Sequence, residues 1–475
     1  MSEVYKNFSV IVLAAGKGRR MRSGLPKVLH QVCFKPLIYY ILKSVQALEP
    51  RNIFVVVGYK GEMVQQYISD NFPQVVTVTQ ETQLGTAHAV RALKDNLKEM
   101  GSDCLVLPGD VPLITAQSLE KVTEDRRFVK SDCTVLTLNV DDPTGYGRVV
   151  KDDRGNVLRI VEQTDASLDE KKIKEINSSI YCFNTGLLFE MLEEINSDNS
   201  QNEYYLTDVI ESLVKKGYKV ASATIEEACQ AEGINDRIQL SYVEKMMQKR
   251  INEELMISGV TLRLPESSFL GPDVLVGKDT VIEPGCLIRG ETIIGEACTV
   301  GPYTQIEDST IGSGTKINKS VIQGAIIGKS NIIGPTSYIR PGTITGDNVK
   351  IGACCEIKKS KIASNSKVPH LSYIGDAEIG ENVNIGAGTV TCNYDGFMKN
   401  RTVIEDEVFI GSDTMLVAPV KIGKGAITAA GSAISMDVPC DSLAIERTSQ
   451  ANIKDGAVRF REKKQKQKKE NGYGG

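Results

Sequence analysis

No apolar run in the 475-residue chain approaches the ~20 residues that a membrane-spanning helix needs. The opening run Val10–Ala15 is also shorter than the ~7–15-residue core of a secretory signal. The eleven cysteines include no C-x-x-C pair, their number is odd, and only Cys354 and Cys355 are adjacent. This pattern argues against a disulfide framework and for reduced thiols in a cytoplasmic protein. There is no excess of charge either: 56 basic residues face 60 acidic ones, so no global field draws the chain onto nucleic acid or anionic lipid. Histidine is scarce, with three residues, and His370 alone lies in the carboxy-terminal half.

What is present changes character near residue 257. Before it, runs such as Ser9–Gly16, Asn52–Tyr59 and Asp103–Asp110 alternate with helical stretches such as Pro36–Leu48. Strands buried on both faces and separated by helices predict a doubly wound, Rossmann-like, mostly parallel α/β sheet. The charged stretch 237–256 contains neither Gly nor Pro and predicts a linking helix. After it, aliphatic residues recur at every sixth position: Val276, Ile282, Ile288, Ile294, Val300 and Ile306. The rhythm returns at Ile327, Ile333 and Ile339, at Ile379 and Ile385, and at Ile410, Leu416 and Ile422. A period of six fits neither a helix nor a heptad. It predicts a coil of short strands, each sending one aliphatic side chain inward before a turn, that is, a hexapeptide-repeat parallel β-helix.

The segment Val10–His30 concentrates Gly16, Gly18, Arg19, Arg20, Arg22 and Lys27 directly after the first buried strand. A glycine-rich loop at the carboxyl end of a parallel strand presents unobstructed N–H groups that can hold phosphates. The run is neither a P-loop nor a dinucleotide fingerprint. Its cations are placed for a multiply charged phosphate ligand.

The run Leu13–Lys27 resembles the L-x-x-G-x-G-x-R-M…P-K element of sugar-1-phosphate nucleotidyltransferases. The likeness continues through Gln80–Val90, Pro108–Ile114, Asp142–Val150, Ile160–Ala166, Glu175–Tyr181, Glu203–Ile210 and Lys367–Gly396. Together these resemble the bifunctional N-acetylglucosamine-1-phosphate uridylyltransferases and glucosamine-1-phosphate N-acetyltransferases of bacterial cell-envelope precursor synthesis. The resemblance implies a left-handed β-helix, four small-molecule substrates (UTP, N-acetylglucosamine-1-phosphate, glucosamine-1-phosphate and acetyl-CoA) and a homotrimer. In the uridylyl half it implies that Leu13, Ala14, Ala15, Gly16, Arg20 and Lys27 hold the nucleotide phosphates, and that Gln80, Gly85 and Thr86 read the uracil. Asp110 and Asn235 would hold Mg²⁺, which keeps most of its waters and needs one or two protein oxygens. Gly145, Glu162 and Asn177, with Asn235, would meet the sugar phosphate. The chain departs from the family pattern at Pro108, where an aromatic residue is common, and at Ser178-Ser179, where Thr-Gly is common.

In the acetyl half the resemblance makes His370 the general base, a task that suits an imidazole near neutral pH. Glu356 would orient or charge-stabilise it. Arg340, Lys358, Tyr373 and Asn384 would hold the sugar phosphate, while Ala387, Asn393, Tyr394, Ser412, Ala430 and Arg447 would position acetyl-CoA. Pro369 stands where the family often has Asn. His30 and His88 are assigned to packing or local hydrogen bonding. The resulting division is 1–236 for a uridylyltransferase domain, 237–256 for the linking helix, 257–460 for an acetyltransferase β-helix, and 461–475 for a basic, disordered tail. Two rival readings remain: a nucleotidyltransferase whose β-helix serves only assembly or regulation, and a scaffold that has kept the fold alone. The site residues argue against both, since each set is complete.

Overall fold

The structure is a computed structural model that describes residues 7–470. The chain forms two units, Met1–Ser258 with Leu264–Val274, and Gly259–Arg263 with Leu275–Gly475. In the first, the apolar strand Phe8–Ala14 lies at the middle of a twisted sheet. It runs parallel to Asn52–Val57 on one side and to Asp103–Pro108 on the other. Leu13 pairs with Val56 and with Pro108, so these strands end together and their following loops share one edge. The all-parallel pattern is broken by Glu175–Asn184, which is antiparallel to Asp103–Pro108 and to Cys133–Asn139.

The helix Arg237–Ile257 belongs to this unit rather than standing apart as a linker. It buries Val243, Met247 and Ile251. Polar contacts fasten it as well: Cys33 N–H donates to Glu244 Oε1 at 3.3 Å, and Arg250 Nη2 donates to the Leu113 carbonyl at 2.9 Å. Burial of one apolar stripe, more than helix propensity, decides where such a helix rests.

In the second unit, three parallel ladders of very short strands stack coil on coil, forming the expected left-handed parallel β-helix. One ladder aligns Ile288, Ile306 and Ile322, and continues through Ile339, Ile357 and Ile374. These six are completely or almost completely buried, whereas Val276, at the start of the six-residue series, is half-buried. The series slips after Ile306 in the sequence, yet Ile306 still stacks on Ile322. The missing residues come out of turns, not strands. Buried Ser and Thr side chains link successive turns: Ser360 Oγ accepts from Ala377 N–H at 3.0 Å and donates to the Lys358 carbonyl at 2.9 Å. Each such hydroxyl satisfies a backbone group that the turn would otherwise leave buried and unpaired.

The tail departs from expectation. Gly456–Glu470 is an α-helix with no buried residue, so the part of the tail up to Glu470 is ordered as helix although solvated. Between Ala457 and Glu470 it contains no Gly or Pro and is rich in Lys, Arg, Gln and Glu, residues that lose little rotamer freedom in a helix. The remaining tail residues, 471–475, lie outside the described residues.

Candidate functional sites

In the α/β unit the shared strand edge opens onto a cavity of about 840 Å³. Its wall includes Leu13, Ala14, Ala15, Gly16, Lys27, Gln80, Gly85, Thr86, Asp110 and Glu162, ten of the residues predicted for the uridylyl site. Gly85 has φ +117°, and a Cβ there would meet the Tyr204 backbone at 2.5 Å, so only glycine lets the two chain segments close beside the cavity. Gln80 is buried and its amide nitrogen reaches the Gly85 carbonyl at 3.2 Å and His88 Nδ1 at 2.9 Å. Burial, reinforced by Arg91, pushes the His88 imidazole below its ordinary range, which keeps Nδ1 available as an acceptor. His88 thus steadies a wall residue through local hydrogen bonding. His30 is buried beside Arg237, whose Nη1 lies 3.3 Å from Nδ1, and its pKa is lowered by burial and by that guanidinium.

The Lys27 ammonium closes on the Asp110 carboxylate and also lies 3.4 Å from Asn235 Oδ1. Two hard oxygen donors therefore converge on one cation, which is the donor chemistry that suits Mg²⁺. Among the described residues there is no cluster of three or more His, Cys, Asp or Glu able to hold a metal, so a site here would rest on this pair and on solvent or substrate oxygens.

Four predicted residues stand apart from the wall. Arg19 and Lys17 line the cavity and Arg20 does not. Asn177 spends its amide internally: Nδ2 donates to the Tyr181 hydroxyl at 2.7 Å, and Oδ1 accepts from Ser179 N–H at 3.0 Å. Gly145, at φ +90°, donates its N–H to Gln163 Oε1 at 3.2 Å. Asn235 stands outside the wall and meets it at Lys27, whose ammonium donates to Oδ1 at 3.4 Å. Conversely, Tyr181, Tyr205 and Thr207 form part of the wall and were not anticipated, and Ser179, noted in the sequence only as a departure from the family pattern, lines it as well. Thr207 Oγ1 donates to Glu162 Oε1 at 3.4 Å, and burial pushes the Glu162 carboxyl up. The "YYLT" run within Glu203–Ile210 was the available signal, but its aromatic and hydroxyl residues read equally well as packing.

In the β-helix, Glu356 and Lys358 share one short strand, whose ladder continues to Tyr373 on the next coil. Arg340 follows Tyr338–Ile339 on the preceding coil, and its N–H donates to the Ile357 carbonyl at 2.8 Å. Its Nη1 holds Glu356 Oε1 at 2.7 Å. Glu356, expected to orient His370, is thus engaged by Arg340. His370 ends the strand Lys367–His370 in a neighbouring ladder and is exposed. Asn384 lies in the same ladder, opposite Lys367. Asn393 is buried and donates to Asp376 Oδ2 at 2.5 Å, anchoring the start of a loop in which Tyr394 is exposed. Ala387, Ser412 and Ala430 stand on stacked turns of one corner, with Asp413 N–H bonded to the Ala387 carbonyl and Gly431 N–H to the Ser412 carbonyl. Arg447 Nη1 donates to the Ala430 carbonyl at 2.8 Å. A shallow apolar hollow of about 420 Å³ by Ile344, Ile362 and Ile379 contains none of the predicted residues.

One unit thus carries a glycine-rich, cationic loop at a strand edge that opens onto a cavity, and the other a hexapeptide β-helix with an exposed histidine, the architecture of a nucleotidyltransferase joined to a repeat-built transferase domain. Residues 9–228 match the Nucleotidyl transferase family model, and 270–368 and 321–429 match the GMPPB C-terminal domain model. The Bifunctional protein GlmU of Carboxydothermus hydrogenoformans is 47% identical over 445 residues, spanning 94% of this chain and 99% of that protein. That of Syntrophomonas wolfei is 48% identical over 446 residues, spanning 94% and 98%. The chain belongs to the GlmU family of bifunctional transferases. It is an enzyme that acetylates glucosamine-1-phosphate with acetyl-CoA and transfers UMP from UTP to N-acetylglucosamine-1-phosphate, releasing pyrophosphate.

Proposed function

We propose that the two reactions occupy the two sites described, one in each unit, and that the residues act as follows. In the cavity the backbone from Leu13 to Gly16, with Lys17, Arg19 and Lys27, receives the triphosphate, while Gln80, Gly85 and Thr86 meet the base. The opposite wall, with Glu162, takes the sugar phosphate. Phosphoryl transfer of this kind asks the protein mainly to hold two anions in line and to balance charge. Mg²⁺, held by Asp110 and Asn235, would neutralise developing charge on the phosphates. The convergence of Asp110 and Asn235 on the Lys27 ammonium is the observation that carries this assignment.

At the second site, His370 removes a proton from the ammonium group of glucosamine-1-phosphate, since a protonated nitrogen has no lone pair with which to attack a thioester. Arg340 and Lys358 hold the phosphate dianion, Tyr373 and Asn384 flank the sugar, and Asn393 sets the loop that carries Tyr394. Ala387, Ser412, Ala430 and Arg447 form the corner along which acetyl-CoA lies. The exposure of His370 and Tyr394 supports a site completed by neighbouring copies in a homotrimer. Every cysteine is free, which supports a cytoplasmic setting; no helix among the described residues is long and apolar enough to cross a membrane.

One mixture of glucosamine-1-phosphate, acetyl-CoA, UTP and Mg²⁺, followed for free thiol, pyrophosphate and UDP-N-acetylglucosamine, tests the assignment. Site variants should each abolish one signal and leave the other, supplied with its own substrate, intact.

A further inference from the structure

Ser179 has φ +62° and is, among the described residues, the only one inside a β-strand with positive φ. Its strand, Glu175–Asn184, is an inner strand of the α/β sheet. Pairing with Cys133–Asn139 is regular up to Asn177↔Thr137 and resumes at Tyr181↔Val135, so Ser178–Ile180 bulge out opposite Leu136. Buried groups hold the bulge. Ser178 Oγ donates to the Leu136 carbonyl at 2.7 Å and accepts from Ile180 N–H at 3.2 Å, and Ser179 N–H donates to Asn177 Oδ1 at 3.0 Å. Ser179 is the single exposed residue of the ten-residue strand, and what it is exposed to is the cavity it lines with Glu162, Tyr181 and Thr207.

A left-handed conformation is costly for a residue with a Cβ and nearly free for glycine. Strain of this kind persists where surrounding structure imposes it, and bulges re-aim side chains beside binding sites. The bulge alone would be served at least as well by glycine. What serine adds is one hydroxyl on the cavity wall, in hydrogen-bond contact with the Tyr181 phenol, which Asn177 also holds at 2.7 Å.

We propose that Ser179 is a sugar-recognising residue of the uridylyl site, its Oγ hydrogen-bonding a polar ring substituent of the bound hexose-1-phosphate. This rests on reading the cavity as the sugar-1-phosphate and UTP site. The serine and the Glu162–Thr207 pair then address one ligand from two elements, which the bulge brings to the same wall.

Steady-state kinetics of Ser179→Ala and Ser179→Gly in the full-length enzyme test it, with N-acetylglucosamine-1-phosphate and UTP varied in turn. Loss of one hydrogen bond of ordinary net strength should raise KM for the sugar phosphate about three- to tenfold in both variants and leave KM for UTP where it was. The glycine variant should also melt at a temperature no lower than wild type, since it relieves the strained φ. If Ser179→Ala fails to fold, Ser179→Gly decides alone, because glycine accepts the conformation. An unchanged sugar KM in a folded Ser179→Gly overturns the role, and so does an equal rise in both KM values. A wild-type enzyme that released no pyrophosphate from UTP and N-acetylglucosamine-1-phosphate would overturn the site reading itself. The two failures appear in different samples.

Discussion

Lys27 and Asp110 are 83 residues apart and form an ion pair in the wall of the α/β-unit cavity, with Asn235 Oδ1 at 3.4 Å from the same ammonium. The pair is mostly shielded, with side chains 18% and 16% exposed. On the proposed assignment the triphosphate arrives beside this carboxylate, and an anion beside an arriving anion is tolerable only when cations separate them. The loop cation therefore neutralises the acid and keeps the edge of the sheet ready for phosphate.

From this arrangement, Asp110→Ala should lower pyrophosphate release at least about a hundredfold, since charge neutralisation at the transferring phosphate is lost. Thiol release from acetyl-CoA should stay near wild type. Chelation of divalent cations should reproduce the same split in the unmodified enzyme. Parallel assays of both products decide the matter, and equal loss of both activities in a folded variant would refute separate sites.

Removal of the imidazole makes the converse split. His370→Ala should slow acetyl transfer by about 10² to 10⁴, the usual contribution of a positioned general base. UDP-N-acetylglucosamine should still form at the normal rate from pre-acetylated sugar phosphate and UTP. Saturation curves in both acetyl-transfer substrates are needed, because a higher KM for acetyl-CoA at unchanged kcat would make His370 a binding group instead.

Asp208 opens the helix Asp208–Lys215, and its carboxyl is pushed up to about 6 by burial, with Glu211 and Asp165 adding repulsion and Lys215 partly offsetting it. The fold thus prefers the protonated acid. Its ionisation destabilises the native state fully above about pH 6, and this penalty fades as pH falls toward the unfolded value near 4. Asp208→Asn should stabilise the α/β unit by roughly 1 kcal/mol at pH 8, after allowance for partial solvent screening. Thermal melts at pH 8 and pH 4 should show that gain in the first and its disappearance in the second. A gain independent of pH would rule out titration of Asp208 as its source.

Ile357 is fully buried between Ile339 and Ile374 in its ladder. Ile357→Ala should destabilise the β-helix by about 2 to 5 kcal/mol through lost burial and the cavity left behind. Denaturant titration would show the loss as a lower midpoint at unchanged slope, with acetyl transfer the more heat-labile activity.

Much of the architecture was legible because it follows from local repetition. Six-residue spacing from Ile282 to Ile306 marks aliphatic side chains that stack inward, and a glycine-rich, cationic loop after an apolar strand marks the edge that borders the cavity. The same locality explains the tail. A run of Lys, Gln, Arg and Glu without Gly or Pro forms a helix to Glu470, where the excess of basic charge had argued for disorder.

What the sequence by itself determined was therefore the order of two architectures and the chemical inventory each carries, since strand periodicity, turn residues and family motifs are written along the chain. The tertiary structure decided which members of that inventory meet. Arg19 faces the cavity and its neighbour Arg20 does not, Asn177 turns inward to Tyr181, and Glu356 goes to Arg340 rather than to His370. Ser179 enters the wall only because a bulge forces it out of its strand, and Thr207 joins it from a loop that reaches Glu162 from 45 residues away. Side-chain direction in loops and bulges has no period to read. It is settled by long-range packing and by the need to pair every buried polar group, and neither exists until the chain has folded.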